Sequence, residues 1–258
     1  MSKGKTKPKY SICIINFNNA STLAVSVESI ITQINDEYEI VVVDSRSTDG
    51  SVQILEDYAT KGRISLILRK CCRGVGRQIA FENSAGEYII ADLDTDDIFR
   101  HELSDLVSLY HTRCEGKLLL ATTDKNRWAS NVTVGPRSLI QRLGGWRNLQ
   151  WGEDWDLWRR ASREGSFRWT TFQLVDRINT HPERSRPSVR LRQRYERYRD
   201  WLRLGRPIFS LGEQRTVVQR ATAWAAGISA YFHTSYDDGQ GPFDPYDPAQ
   251  FIARSDAP

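Results

Sequence analysis

The feature that most constrains the fold is an apolar run, residues 88–91, that leads directly into a group of aspartates at 92, 94, 96 and 97. The run is short enough for a buried strand and too short for a helix. At the carboxyl end of a central strand, where open α/β sheets bind ligands, these oxygen ligands would suit Mg²⁺ or Mn²⁺. A turn followed by a helix N-cap is the alternative interpretation.

Alternation of apolar runs with helical patterns predicts an α/β fold. Runs at 10–17, 38–43, 64–68 and 88–91 are separated by segments whose apolar residues recur at helical spacing. Such a succession predicts a doubly wound, mostly parallel, Rossmann-like sheet with flanking helices. No GxGxxG or P-loop follows the first strand, so a dinucleotide cofactor is not expected.

The glycines at 74 and 76 predict a loop, followed by a helix over 77–84. Further along the chain, we expect strands at 118–122 and 130–134. Helices are expected at 102–112 and 137–143, and another opens near Trp151. The predicted organisation is a disordered lead-in at 1–9, a catalytic domain at 10–182, a helical extension at 183–236 and a loop-like or disordered tail at 237–258.

Composition adds limits on location and redox state. The chain has 258 residues, of which 40% are hydrophobic, and no run long enough to span a membrane. The lysine-rich start has no apolar segment after it, so we expect no secretory signal and a cytoplasmic location. The four cysteines (Cys13, Cys71, Cys72 and Cys114) lack metal-ligand spacing and are expected to be reduced.

Five segments in a fixed order carry a family resemblance. They are residues 11–18, 41–51, 74–80, 94–97 and 144–157. With these pieces the chain resembles the family 2 glycosyltransferases, inverting enzymes of the GT-A fold that use nucleotide sugars. The resemblance covers roughly residues 10 to 165 and gives little guidance beyond about residue 180.

The resemblance implies a donor and metal site. Asn16, Asp44, Arg77 and Asp94 would contact the donor nucleotide, with Asp44 accepting a base N–H and Arg77 neutralising the diphosphate. Asp94 and Asp96 would hold Mn²⁺ or Mg²⁺ as the metal-binding DxD, and His181 could be a third ligand. The strand is about one residue longer than expected, so a motif beginning at Asp92 is the alternative. Asp44 as a turn cap and Arg77 as a solvated helix residue also remain open.

The resemblance further implies an acceptor side. Asp154 would be the general base for the acceptor hydroxyl, with Glu153 as the alternative. Trp146, Trp151 and Trp155 would dry the site or stack on the acceptor sugar. Carboxylates stabilised by the positive end of a helix are the alternative interpretation of residues 153 and 154.

The last third of the chain is rich in arginine. Residues 184–206 interleave arginines with Tyr195, Tyr198 and Trp201, which predicts one helix, and an amphipathic helix follows from about 212 to 232. Peripheral contact of the first helix with the inner face of an anionic membrane is one interpretation. A hairpin packed on the catalytic domain is the other, and we favour it for the second helix. A nucleic-acid partner is not expected.

The sequence therefore predicts a metal-assisted transferase. Its donor would be a nucleotide sugar, with a UDP-sugar expected, and its acceptor a glycan, a lipid-linked sugar or a small molecule. A sugar nucleotidyltransferase is an alternative, although residues 16–19 do not supply the glycine-rich basic loop that it would need. A non-catalytic scaffold is a third hypothesis, which the combined presence of the acidic group and Glu153-Asp154 disfavours.

Overall fold

The computed structural model describes residues 7–100, 102–123, 131–177, 186–205, 217–236 and 247–253. In this part of the chain the strands are β1 (Tyr10–Asn16), β2 (Tyr38–Asp44), β3 (Ser65–Leu68), β4 (Tyr88–Leu93), β5 (Asp97–Phe99), β6 (Leu118–Thr122), β7 (Asn131–Pro136), β8 (Phe167–Thr171) and β9 (Val175–Arg177). The helices are α1 (Ala20–Ile31), α2 (Ser51–Thr60), α3 (Arg73–Glu82), α4 (Leu103–Arg113), α5 (Arg137–Arg142), α6 (Glu153–Arg163), α7 (Pro187–Arg203) and α8 (Val217–Tyr231).

The main sheet of the described residues has seven strands in the order β3-β2-β1-β4-β7-β6-β8. Strands β1 to β4 run parallel, and β6 is parallel to β8. Strand β7 is antiparallel to both β4 and β6. The predicted α/β fold with a mostly parallel sheet is therefore confirmed.

The central strands are buried on both faces, which explains their nearly continuous apolar sequences. Alternate residues of β1 and β4, such as Ile12 and Ile90, join the apolar cluster that contains residues of α1 and α4. Their neighbours, such as Cys13 and Ile89, join the cluster on the other face with residues of α3 and α6. Two apolar layers thus enclose the sheet and fix its register.

Helix α3 begins earlier than predicted, because the glycines at 74 and 76 lie inside it and not in a loop. A Cβ on Gly74 would come 2.0 Å from the carbonyl oxygen of Arg147, and one on Gly76 would come 3.0 Å from the side chain of Ile15. Both glycines therefore permit close packing of the helix. A glycine that is needed for close packing can lie inside a helix. From the sequence alone, such a glycine cannot be distinguished from one that forms a turn.

Three short strands are absent from the predictions. Strand β8 pairs with β6, and β5 with β9 forms a separate two-stranded antiparallel sheet. Residues 247–253 of the predicted loop-like tail pack on β8, where Thr170 Oγ1 donates to the carbonyl of Ile252 at 2.7 Å. The part of the tail that is described is therefore held against the sheet.

The two C-terminal helices form as predicted and pack against each other. The predicted start of α8, residues 212–216, lies outside the described residues. The side chains of Tyr198 and Ala226 are fully buried where the helices meet. None of the described helices is long and apolar enough to cross a membrane.

Candidate active site

The carboxyl ends of three neighbouring strands meet at one edge of the sheet. Strand β1 lies between β2 and β4 and runs parallel to both. Asn16 ends β1, Asp44 ends β2, and Asp94 follows β4 directly. The predicted donor residues on these strands are therefore brought together, as the topology requires.

A buried hydrogen-bond network organises this edge around Asp44. Its carboxylate accepts from Asn16 Nδ2 and, through both the backbone N–H and the hydroxyl, from Ser47, each at 2.7 Å. Asn16 Oδ1 in turn accepts from Thr95 Oγ1 at 2.9 Å. The network thus shapes the loop after β2 and ties it to the acidic segment after β4.

The extra residue before the acidic segment is accommodated by a β-bulge. Ile12 pairs with Ile90 but Ile14 pairs with Leu93, so β4 has one residue more than β1 in this interval. Asp92, within the bulge, has a φ of 67°, a left-handed conformation that is uncommon outside glycine. The bulge restores the register of the chain, so Asp94, Thr95 and Asp96 follow the strand end.

Asp92 belongs to a buried ion-paired group, which favours Asp94 as the first residue of the DxD. Arg77 of α3 places its Nη1 2.9 Å from Asp92 Oδ1 and its Nε 3.2 Å from Glu153 Oε1. The Arg77 side chain is only 5% exposed. Although burial opposes its charge, Asp92 and Glu153 raise the pKa of Arg77 above its usual value. The guanidinium is thus turned towards protein carboxylates, and a direct diphosphate contact by Arg77 stays a prediction that this geometry does not favour.

Thr133 and Trp158 complete the surroundings of Asp92. Thr133 Oγ1 donates to Asp92 Oδ2, and Trp158 Nε1 donates to Thr133 Oγ1 at 2.9 Å. Burial raises the pKa of Asp92, whereas Arg77 and Thr133 lower it. These contacts link the bulge in β4 to β7 and α6.

Helix α6 begins with the two candidate bases. Gly152 precedes it with a φ of 75°, and Glu153 and Asp154 lie in its first turn. Glu153 is buried against Arg77, whereas Asp154 is half-buried and accepts the backbone N–H of Trp155 at 2.8 Å. Burial raises the pKa of Asp154 well above its usual value, and the negative charges of Glu153 and Asp92 raise it further. Of the two carboxyl groups, Asp154 is the more accessible.

The three predicted acceptor tryptophans have different environments. Trp146 is buried in the core, edge-on to Phe81, and its backbone N–H donates to Gln78 Oε1. This burial leaves little surface for stacking on a sugar, so an acceptor contact by Trp146 stays a prediction that this geometry does not favour. Trp151 is half-buried beneath the guanidinium of Arg73, 5.0 Å from the ring, and Trp155 is half-buried on α6.

Sequence reasoning missed two residues of α7 that support this region. Asp200 is fully buried and accepts from the backbone N–H groups of Gln150 and Trp151, at 2.7 and 3.2 Å. Arg203 Nη1 donates to the carbonyl of Asn148 at 2.8 Å and lies 3.2 Å from Asp200 Oδ1. The sequence signal for this role was a single aspartate, three residues before an arginine, in a strongly basic helix.

The metal site is only partly described. Asp94 is half-buried and Asp96 is buried at the end of β4. Within the described ranges, no group of three or more His, Cys, Asp or Glu side chains is arranged to hold a metal ion. The third predicted ligand, His181, lies outside the described residues. Two carboxylates fit a hard cation whose remaining ligands are phosphate oxygens and water.

A mostly parallel sheet with an acidic strand end, facing a second acidic group on a later helix, is the architecture of a GT-A glycosyltransferase. Known structures agree with this class. The chain superimposes on the mannosyltransferase PcManGT from Pyrobaculum calidifontis, solved with GDP-Man and Mn²⁺, with a TM-score of 0.59 and 17% identity over 89% of this chain and 77% of that one. It also superimposes on S. aureus TarS 1-349 in complex with UDP-GlcNAc, with a TM-score of 0.57 and 16% identity over 84% and 79% of the two chains.

Sequence comparison defines the family. The model of glycosyl transferase family 2 matches residues 11–131. The putative glycosyltransferase EpsE of Bacillus subtilis is 35% identical over 190 residues, which are 61% of this chain and 68% of EpsE. The cholesterol galactosyltransferase of Borreliella burgdorferi is 34% identical over 86 residues, 33% of this chain and only 24% of that protein. The chain belongs to glycosyl transferase family 2 and is a glycosyltransferase.

Proposed function

We propose that the chain transfers a sugar from a nucleotide-diphosphate donor to an acceptor hydroxyl with inversion at the anomeric carbon. The observation that carries this proposal is the convergence of two acidic groups on one buried arginine. Arg77 lies 2.9 Å from Asp92, two residues before Asp94, and 3.2 Å from Glu153, which precedes Asp154. The donor-side and acceptor-side segments are therefore close in space, as a direct transfer between two substrates requires.

Asp154 would act as the general base. Its raised pKa brings it closer to neutral pH, which favours proton transfer from an alcohol. In the proposed step Asp154 takes the hydroxyl proton while the acceptor oxygen forms a bond to the anomeric carbon. The bond from that carbon to the diphosphate oxygen breaks on the opposite face, and its electron pair leaves with the nucleotide diphosphate.

The donor would lie along the strand ends. Asp44 accepts three hydrogen bonds within the protein and is completely buried, so its contact with a base N–H stays a prediction that this geometry does not favour. Asn16 and Thr95 would hold this surface in place, and Asp94 would face the ribose or the metal. A UDP-sugar remains the expected donor.

Asp94 and Asp96 would hold Mn²⁺ or Mg²⁺ together with oxygen atoms of the donor. When bound, the cation supplies positive charge that stabilises the diphosphate leaving group. Titration calorimetry with UDP and with GDP, each with Mn²⁺ and with EDTA, tests this assignment. We expect one nucleotide to bind only with Mn²⁺, and Asp94→Ala to lose that binding.

The matched control is Asp36→Ala, which removes an exposed aspartate elsewhere on the surface. It should bind as the wild type does. Failure of both nucleotides to bind to a folded wild-type chain would overturn the donor proposal. Equal binding in EDTA would overturn the metal assignment alone.

The acceptor would bind beside Asp154, at the start of α6. Trp151 and Trp155, half-buried beside Asp154, would pack against the acceptor and exclude water from the base. A glycan, a lipid-linked sugar or a small molecule all present the hydroxyl that the mechanism needs. Cytoplasmic location and contact of α7 with a membrane stay predictions.

A further inference from the structure

Helix α8 has an unusual distribution of side-chain sizes. It buries small residues, namely Thr222, Ala223 and Ala226, and the two alanines pack against α7. Its large apolar residues point away from the protein: Trp224 is 76% exposed, Tyr231 86% exposed, and Phe232, which follows the helix directly, 78% exposed. An apolar surface of this kind marks an interaction site when its residues are contiguous.

These exposed residues form one continuous face. Val218, Trp224, Ile228 and Tyr231 are exposed, and Ala221 and Ala225 fill the positions between them. Residues three, four and seven positions apart lie on the same side of a helix, so this set forms a stripe along the whole of α8. We call it the outer face of α8. A helix of 15 residues is about 22 Å long, which suits a helix lying in a surface and not crossing it.

The exposed charges on the described part of the α7–α8 hairpin have a single sign. Among the described residues of α7 and α8 and the N-cap of α7, the exposed charged side chains are Arg186, Arg190, Arg192 and Arg220. The acidic residues of this hairpin are not exposed: Glu196 is half-buried beside Arg192, and Asp200 is fully buried. The hairpin therefore presents apolar side chains together with positive charge.

We propose that the outer face of α8 binds the interfacial region of a membrane that contains anionic lipid. Tryptophan and tyrosine rings favour the headgroup level of a bilayer, because they have an apolar body and a polar edge. Apolar insertion and basic residues together provide the two signals that stable peripheral binding needs. A second copy of the chain fits less well, since two identical basic surfaces repel each other.

This surface differs from the one that the sequence favours. The arginine and aromatic pattern of α7 indicates membrane contact by that helix and packing by α8. In the structure, the aromatic side of α7 is used for packing, with Tyr198 fully buried and Trp201 half-buried. The exposed apolar residues belong to α8, and the exposed arginines of α7 contribute charge.

The test measures co-flotation of the purified full chain with vesicles, without donor or metal. Vesicles of equal parts phosphatidylcholine and phosphatidylglycerol should bind the chain, and vesicles of phosphatidylcholine alone should bind it at least tenfold less. The double variant Trp224→Ser with Phe232→Ser should lose at least tenfold of the binding to anionic vesicles. Arg190→Gln with Arg220→Gln should weaken binding and reduce its dependence on salt.

Phe17→Ser provides the matched control, because it removes an aromatic ring that is 58% exposed on the catalytic domain. It should float as the wild type does. Ile228→Ser is a second variant on the outer face and should also reduce binding. The thermal midpoint of each variant is measured as well, to establish that the variant is folded.

Two outcomes would overturn the proposal. One is equal flotation of the Trp224→Ser, Phe232→Ser double variant and the wild type. The other is a dimer in sedimentation equilibrium that this double variant dissociates, which would assign the outer face to a second copy. Donor binding is measured separately by calorimetry, so failure of the lipid proposal and failure of the transferase proposal are distinguishable.

Discussion

The sheet domain and the α7–α8 hairpin use apolar residues in opposite ways. In the sheet domain the central strands bury their large apolar side chains, and Ile12, Ile89 and Ile90 are completely buried. In the hairpin, α8 buries alanines and exposes Trp224, Tyr231 and Phe232. The first arrangement stabilises the fold, whereas the second leaves surface available for a partner. Large apolar residues at helical spacing therefore do not by themselves indicate a core.

The largest effect is expected at the base. Asp154→Asn should lower turnover by about 10²- to 10⁴-fold, because the asparagine amide cannot take the proton from the hydroxyl group of the second substrate. Its donor affinity, measured by calorimetry, should be unchanged. The raised pKa of Asp154 means that its ionised form opposes folding, so the stability it contributes is lost as pH rises through that pKa. The variant's thermal midpoint at pH 7 should therefore equal or exceed that of the wild type.

Asp105→Asn is the control for this change, since Asp105 also lies in the first turn of a helix but is exposed on α4. It should retain full turnover. Wild-type turnover by Asp154→Asn would exclude Asp154 as the base.

The support that the hairpin gives to the sheet domain can be broken at Asp200. Asp200→Asn removes a buried charge that faces Arg199 and Arg203 and caps Gln150 and Trp151. Breaking a buried pair of this kind costs about 3–5 kcal/mol. We expect a lower free energy of unfolding in urea and reduced turnover, because asparagine has a single acceptor oxygen and cannot serve both the two arginines and the two backbone N–H groups.

Glu196→Gln provides the comparison within the same helix. It removes the ion pair with Arg192, which is 80% exposed, and should change stability by about 0.5 kcal/mol or less. Equal effects of the two substitutions would show that the hydrogen bonds of Asp200 do not stabilise the segment at 150–151.

The two uses of apolar residues can be compared directly with one residue type. Ile90→Ala, at a completely buried position, should reduce the free energy of unfolding by about 2–5 kcal/mol. Ile228→Ala, at a position that is 49% exposed on the outer face of α8, should change it by about 0.5 kcal/mol or less. Chemical denaturation of both variants checks the difference. A large loss at Ile228 would indicate that α8 uses this face to stabilise the fold.

The smallest expected effect concerns pH. Turnover at saturating donor should rise with pH through a pKa above the usual aspartate range, because Asp154 must be ionised to accept a proton. The negative charge of Glu153 raises that pKa, so Glu153→Gln should move the acid limb of the profile to lower pH. A shift to higher pH would contradict the proposed coupling of these two carboxyl groups.

Much of the fold could be predicted because buried parallel strands have continuous apolar sequences. The runs in β1, β2 and β4 identify the sheet, and their order brings Asn16, Asp44 and Asp94 to one edge. Strands β5 and β9 have three residues each, too few for a periodic pattern. Short paired strands of this kind depend on their partners and not on local sequence.

The contacts of the candidate site were less predictable than its composition. Arg77 and Glu153 are 76 positions apart, and Asp200 and Gln150 are 50 apart. Such pairings leave no local periodicity, so the sequence indicates which residue types are present but not which charges neutralise each other. The bulge at Asp92 shows the same limit: the extra residue is visible in the sequence, but its left-handed conformation is not.

The cap that Asp200 provides has a consequence for the timing of synthesis. The chain emerges from the ribosome with the sheet and the start of α6 first, while the acceptor for the N–H groups of Gln150 and Trp151 follows 50 residues later. In the nascent sheet domain the N–H groups of Gln150 and Trp151 therefore lack this acceptor until α7 has been translated. The segment that leads into Asp154 thus gains the acceptor of these two N–H groups only after residue 200 has been translated.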